Sequence, residues 1–235
     1  MRFNSDQIQK IGKEISSKVD GKTLFDEFSR GRYSTDASVY QIKPLGVVLP
    51  KDTNDVLSLM EYSQKNSVPL LARGGGSSQC GQTVGESVVL DYSKHQNKIL
   101  ELNVEEKYVW VQPGVVLDHL NAYLKPHGLW FPVDVSTSSR ATIGGMSANN
   151  SCGSRSLYYG NMVHNVLAIE AILDDGSIFN FDQINKNYLA TKNNQDRLYK
   201  IIDKFIDVRQ QVGGEIDANW PTTQRRVGGL SLIHI

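Results

Sequence analysis

Arg73-Gly74-Gly75-Gly76-Ser77-Ser78-Gln79-Cys80-Gly81-Gln82 is the stretch on which the fold turns. The apolar run before it, Val68 to Ala72, reads as a strand that enters three consecutive glycines. Without Cβ atoms the chain can turn there through positive φ and bring its amides close to an anion. Successive N–H groups in such a bend form a concave nest for phosphate oxygens. The Ser77 and Ser78 hydroxyls add donors, and Arg73 adds charge. A flexible surface loop has the same composition, so this stretch alone leaves the choice even. Two other anion loops are excluded. No Gly-Lys-Ser/Thr closes the run as in a nucleoside-triphosphate loop, and no G-x-G-x-x-G opens a helix as in a Rossmann site.

A second stretch has related chemistry: Ser136-Thr137-Ser138-Ser139-Arg140-Ala141-Thr142-Ile143-Gly144-Gly145-Met146, followed by Asn149-Asn150-Ser151-Cys152-Gly153. A short helix carrying Met146 and Ala148 is expected to start at the Gly-Gly pair. Its N-terminus would present free amides and a positive dipole end, which suits an anion. Taken alone, the stretch reads equally as a polar loop with a packed Gly-Gly corner. Two such bends in one chain favour a diphosphate gripped from two sides.

Working outward, Ile8, Ile11, Ile15 and Val19 recur at helical spacing and predict a helix from about Asp6 to Val19. Gly46 to Leu49 reads as a short strand, and Asp52 or Thr53 as the cap of a helix carrying Val56, Leu59, Met60 and Ser63. Strands are expected at Ser87–Tyr92, Lys98–Asn103 and Tyr108–Gln112, the last two as a hairpin. A helix with Leu117, Leu120 and Leu124 inward should end near His127-Gly128. Asn165–Leu173 and Ile178–Phe181 read as strands joined by a tight turn. Asp196–Gln211 reads as an amphipathic helix with Leu198, Ile201, Ile202, Phe205 and Val208 inward, ended by Gly213-Gly214. This mixture of helices and strands without strict alternation predicts an α+β fold.

The 25 basic and 25 acidic residues of the 235-residue chain cancel, so there is no electrostatic footprint for nucleic acid. No apolar run reaches the ~20 residues needed to span a bilayer. Two cysteines, Cys80 and Cys152, cannot make a disulfide framework and read as small loop residues near the ligand, which points to a cytoplasmic location with peripheral attachment to the inner membrane left open. His95, His119, His127 and His164 lack metal-ligand spacing, and no metal site is expected. Only His164 is a candidate acid/base group. Trp110, Trp130 and Phe131 are expected in the core. Arg225 and Arg226 read equally as solvated charges or as a clamp for a carboxylate.

Further motifs occur in a particular order: Pro44-Leu45-Gly46-Val47-Val48-Leu49-Pro50, Arg73 to Ser77 with Gly81-Gln82, Val89-Leu90-Asp91, Val111-Gln112-Pro113-Gly114-Val115, Ala141 to Met146, and Asp175-Gly176. Over about residues 40 to 180 this set resembles the FAD-binding domain of the vanillyl-alcohol oxidase/p-cresol methylhydroxylase (PCMH) superfamily. Within it, Thr137 to Arg140, Asn149 to Gly153 and Tyr159-Gly160-Asn161-Met162 resemble the FAD-linked D-lactate, glycolate and D-2-hydroxyglutarate dehydrogenases, in particular bacterial forms fused to an iron–sulfur unit. The resemblance implies a two-lobed PCMH-type domain with FAD between the lobes. It implies that Arg73, Gly74, Gly75, Gly76, Ser77, Ser78, Gly81 and Gln82 wrap the pyrophosphate and ribityl chain. Pro132, Asp134, Ala141, Thr142, Gly144, Gly145, Asn149 and Gly153 would line the flavin and its phosphates. Val166 or Ile169 would meet the adenine through backbone groups.

On this reading residues 1–40 form an N-terminal helical extension, 41–182 the FAD domain, and 183–229 the start of a truncated cap region, with 230–235 a non-native tail. Some family members attach FAD through a histidine beside the first glycine loop; Ser77 and Ser78 stand there in this chain, so the flavin is expected to be non-covalent. The implied activity is oxidation of a D-2-hydroxy acid to the 2-oxo acid, with electrons passing to an iron–sulfur unit, quinone or other carrier outside this chain. The catalytic base and substrate clamp are expected beyond these residues. A flavin reductase sharing the domain, an FAD-binding fragment without turnover, and a non-flavin anion-binding module are the alternatives.

Overall fold

A computed structural model describes residues 3–182 and 197–222. Its centre is a sheet built from β1 (Lys22–Leu24), β2 (Gly46–Leu49), β3 (Leu70–Arg73) and β4 (Val88–Asp91), in the order β1-β2-β4-β3. β2, β4 and β3 are parallel, and β1 closes one edge antiparallel. Strands buried on both faces cannot alternate apolar with polar. Accordingly Val48, Val88 and Leu90 point into one apolar cluster while Val47, Leu49 and Val89 point into another.

The first cluster is covered by α1 (Ser5–Ser16) and α3 (Thr53–Asn66). Ile8, Ile11 and Ile15 form one stripe on α1, as their spacing predicts, but the helix stops at Ser16 and leaves Val19 in the following turn. Asp52 caps α3 by accepting from the amides of Asn54 and Asp55. Tyr62, in place of the expected Ser63, completes the buried face of α3 with Val56 and Leu59. Each of these fully buried aliphatic side chains contributes about 1.5–3 kcal/mol. Two elements have no clear sequence signature, β1 and α2 (Glu27–Arg32). Buried Asp55 fastens β1 by accepting from the amides of Asp20, Gly21 and Lys51 at 2.8, 2.9 and 2.7 Å. Buried Arg30 fastens α2 by donating to the Pro44 carbonyl at 2.9 Å.

The second lobe begins with the hairpin of β5 (Ile99–Asn103) and β6 (Tyr108–Val111). α4 (Leu117–Leu124) packs Leu120 and Leu124 onto it, and ends in a 3₁₀ turn closed by Gly128 at φ 69°. Short helices α5 (Ile143–Ala148), α6 (Ser156–Tyr159) and α7 (Met162–Asn165) follow. Met146, Met162, Ala141, Val133 and Leu117 make their common core. The chain from Asn165 is thus helical at its start, and the expected strand is confined to β7 (Ile169–Ile172), paired with β8 (Ile178–Phe181). Asn161 caps α7, which competes locally with an extended conformation. The turn of this second hairpin rests on α3 through Gln64 and the Asp174 carbonyl.

The last helix, α8 (Arg197–Asn219), runs through Gly213 and Gly214 instead of ending there. Gly213 is buried in the helix, and Arg209 bonds across it to the Gly213 carbonyl and Asp217. Leu198 and Ile202 face inward, but Ile201, Phe205 and Val208 line an open surface groove with Arg197, Lys200 and Lys204. Trp130 is not a core residue: it is 40% exposed, with Tyr159 edge-on at 5.2 Å and the Arg155 guanidinium over its ring at 5.0 Å. Arg225, Arg226 and the 230–235 tail, like residues 183–196, lie outside the described residues. No described helix is long and apolar enough to cross a membrane.

Candidate functional site

β3 ends at Arg73, and the chain turns at once away from the sheet. Gly74 to Gln79 form an irregular bend in which Gly76 has φ 64°. Their amides donate to no acceptor among the described residues, whereas the Cys80 amide is taken by Ser78 Oγ at 3.2 Å. Six consecutive amides without partners among the described residues, at the end of a parallel strand, are the donor set of a backbone nest for phosphate oxygens. This is the fit expected of a dinucleotide's diphosphate.

The bend lies directly on the second glycine segment. A Cβ on Gly74 would strike Thr142 Oγ1, and one on Gly75 would strike the Arg140 carbonyl. Gln82 Nε2 donates to Asn149 Oδ1 at 3.1 Å, tying the two loops on their exposed side. The two bends therefore converge, as the diphosphate reading requires, and they meet at Arg140 and Thr142.

The second bend does not offer its amides as the sequence led us to expect. Ile143 N donates to Val115 O at 2.8 Å and Gly144 N to Pro113 O at 2.9 Å. Gly145 N reaches Thr142 Oγ1 at 3.4 Å and Met146 N reaches Thr142 O at 2.8 Å. The start of α5 is thus saturated from within. Gly144 is required for close approach, because a Cβ there would meet Pro113 Cβ at 2.5 Å. Ala141 and Thr142 are buried at 5% and 2% exposure, and Thr142 lies directly beneath Gly74 of the first bend.

Pro132 precedes the fully buried Val133, which anchors the wall of the second lobe. Asp134 organises the neighbouring loop: it accepts from Ser154 Oγ at 2.6 Å and from the Arg155 amide at 2.9 Å. Burial raises the Asp134 pKa, but these two hydrogen bonds outweigh it and hold the carboxyl below its ordinary value. Gly153 packs against Asp134 so closely that a Cβ would overlap both its carbonyl and its carboxylate. Asn149 ends α5 and passes its amide to Ser151 Oγ at 3.1 Å. Val166 packs against the Met146–Met162 core, whereas Ile169 sits on β7 opposite Phe181, on the hairpin that leans toward α3.

Arg73 is not free to meet an anion with its whole guanidinium. Nη1 donates to the carbonyls of Thr83 and Tyr33 at 3.2 and 3.4 Å, and Nη2 to that of Thr35 at 2.9 Å. His164 is likewise engaged, since its Nδ1 accepts from the Asn161 amide at 3.0 Å within the cap of α7. That bond occupies the lone pair a base would need at Nδ1.

Two contributors escaped the sequence reading. Buried Asn150, at φ 47°, accepts from Val163 N at 3.0 Å and joins α5 to α7. Asparagine tolerates this left-handed conformation better than most residues, which was its only signal. The second is the strap from Tyr33 to Gln41. Asp36 accepts from Thr83 Oγ1 at 3.1 Å, and a Cβ on Gly81 would lie 2.5 Å from the Tyr40 ring. Nothing in its composition marked it.

With this geometry in place, comparison with known proteins gives the class. Residues 44–182 match the family model of an FAD binding domain. The chain belongs to that family, and FAD is its cofactor. The chain is similar to the D-2-hydroxyglutarate dehydrogenase of Pseudomonas putida, 36% identical over 94% of this chain and 22% of that protein. It is also similar to the mitochondrial D-lactate dehydrogenase [cytochrome] of Kluyveromyces lactis, 40% identical over 58% of this chain and 24% of that protein. This chain therefore spans less than a quarter of the length of either relative. Among solved structures, Physcomitrella patens BBE-like 1 superposes with a TM-score of 0.64 at 20% identity, over 80% of this chain and 39% of that one. At that identity the likeness establishes the two-lobed α+β fold alone.

Proposed function

We propose that this chain is the FAD-binding portion of a dehydrogenase that oxidises a D-2-hydroxy acid, such as D-2-hydroxyglutarate or D-lactate, to the 2-oxo acid. The observation that carries this reading is the run of unpartnered amides from Gly74 to Gln79, seated on Arg140–Thr142. Relatives with this alignment are named as dehydrogenases of such acids, which supports the substrate class.

The residues divide the work as follows. Gly74, Gly75, Gly76, Ser77 and Ser78 bind the diphosphate through backbone donors, with the Ser77 hydroxyl beside them; the Ser78 hydroxyl, expected to add a donor, instead donates to Gln82 Oε1 at 2.7 Å. Gly81 and Gln82 close the loop, and Gln82 with Asn149 holds the two lobes in register. Thr142, Ala141, Gly144 and Gly145 shape the floor; Pro132, Asp134 and Gly153 shape the adjoining wall; Val166 and Ile169 lie toward the adenine end. Bound FAD supplies an acceptor for the substrate's α-hydrogen as hydride, and the protein supplies orientation and electrostatics. FAD is held without a covalent link, because Ser77 and Ser78 stand where some members of the family carry the linking histidine. The electron acceptor is an iron–sulfur unit, quinone or other carrier. A cytoplasmic site of action fits the two unpaired cysteines.

The test is direct. FAD added to the purified chain should raise its melting temperature, by about 2.7 kcal/mol of stabilisation at a hundredfold excess over Kd, and acid precipitation should release all the flavin. Anaerobic D-2-hydroxyglutarate or D-lactate should bleach the flavin in the full-length protein. Bleaching by NADPH and by neither acid would overturn the assignment.

A further inference from the structure

We propose that Arg73 is a positioning residue: its guanidinium is an internal pillar that sets the curvature of the Gly74–Gln79 nest, and it is not the diphosphate's charge partner. The inference rests on the FAD reading above and assigns one residue of that site a role opposite to the one its charge suggests.

Three carbonyls hold the guanidinium from two directions. Tyr33 and Thr35 belong to the strap that precedes β2, and Thr83 closes the glycine loop. The Tyr33 ring stacks on it at 5.2 Å. That ring is itself pinned, because Tyr33 donates its hydroxyl to Asp91 Oδ2 at 2.6 Å, and Asp91 is the β4 residue paired with Arg73 in the sheet. The apex of the bend rests on the same group: a Cβ at Gly76 would lie 2.5 Å from Nη2 and 3.0 Å from Cζ. The side chain of the loop's first residue thus touches its apex, its end and the strap behind it. A second link, Asp36 to Thr83 Oγ1 at 3.1 Å, ties the strap to the loop's end independently.

The strap lies before residue 44, where the match to the family model begins. It acts on the matched region from outside. Amides that bind an anion must point inward together before it arrives, and an ordered bend costs less to organise on binding. A planar fork with five donors can bridge three carbonyls, whereas a lysine ammonium cannot reproduce that geometry.

The two roles separate on Arg73→Lys. A charge partner for phosphate is replaced in large part by lysine; a pillar is not. FAD affinity is read by quenching of flavin fluorescence in the 235-residue chain, at several salt concentrations. We expect Arg73→Lys and Arg73→Met to weaken FAD about tenfold or more, and equally, on the scale of a lost charge-assisted hydrogen bond. The salt dependence should match the parent's, because no phosphate contact has been removed. Parent-like affinity in Arg73→Lys, or a flattened salt dependence in Arg73→Met, overturns the proposal. Should the Arg73 variants fail to fold, Tyr33→Phe decides: it removes only the Asp91 bond that pins the ring on the guanidinium and should weaken FAD about threefold at pH 7, while unchanged affinity counts against the pillar. A parent chain that leaves flavin fluorescence untouched sinks the FAD reading itself. A parent that binds FAD no better than Arg73→Lys sinks this inference alone.

Discussion

In the bend after β3, the amides from Gly74 to Gln79 meet no acceptor among the described residues, whereas at the start of α5 every amide from Ile143 to Met146 donates inside the protein. Both segments are glycine-rich, and they touch each other, although the first follows a strand and the second a run of turns at 136–140. Glycine serves different physical ends in the two places. In the first it permits a positive φ and leaves donors exposed to a ligand. In the second it lets two backbones approach more closely than any side chain allows. A glycine pair at a helix start therefore does not by itself identify an anion site. The inventory of its hydrogen bonds does.

The comparison is broken most severely at Gly144. Gly144→Val drives a side chain into Pro113, so it should cost about 2–3 kcal/mol, and lower the melting temperature of the FAD-free chain by on the order of 5–10 °C. A calorimetric scan without FAD checks this, and an unchanged transition would mean that the close approach is unimportant. Gly76→Ala should behave differently. The left-handed conformation costs an alanine about 1–2 kcal/mol, and the pillar beneath must shift. FAD affinity should fall about tenfold, with a smaller loss of apo stability than in Gly144→Val. Equal loss of apo stability in both variants would erase the distinction between the bends.

Alkaline titration sharpens the comparison further. Burial, then the Asp91 hydrogen bond, push the Tyr33 hydroxyl up to about 12 from its ordinary 10. The unfolded chain releases this proton first, so between pH 10 and 12 the folded state holds more protons. The stabilisation is complete below pH 10 and is lost as pH rises through about 12. With the ring half-exposed, the difference between parent and Tyr33→Phe across that window should be about 1 kcal/mol. Urea unfolding at pH 9 and pH 11.5 measures it, and parallel curves would show that Tyr33 does not contribute. The smallest effect belongs to the exposed bond between the loops. Gln82→Ala should cost about 0.5–1 kcal/mol, visible as a modest rise in the FAD dissociation rate by stopped flow. A loss as large as that of Gly76→Ala would make the clasp, and not the nest, the principal grip.

Much of the fold was legible because period and punctuation agree in this chain. The isoleucine stripe of α1, the Asp52 cap of α3, the β5–β6 hairpin and the Leu117–Leu124 face of α4 each combine an apolar period with a local stop or start signal. The errors have equally local causes. Gly213-Gly214 resembles a helix end, yet α8 continues because Arg209 bridges the pair to Asp217 and Gly213 is buried. Trp130 resembles a core residue, yet Arg155 and Tyr159 occupy its faces at the surface. Short helix α7 depends on a side-chain cap, Asn161 with His164, which an apolar period does not reveal.

The order of residues establishes two glycine bends, one of them after an apolar strand, and an α+β mixture of elements, because missing Cβ atoms, local hydrogen-bond donors and apolar spacing are written in it. The FAD-binding fold was implied by the resemblance of the ordered motifs and is borne out by the family match over residues 44–182. Packing in three dimensions determines which bend keeps its amides free, and it turns the Arg73 guanidinium onto the carbonyls of Tyr33, Thr35 and Thr83. A donor is free or occupied according to what folds against it, and Pro113, Val115, Tyr33, Thr35 and Thr83 come from distant parts of the chain.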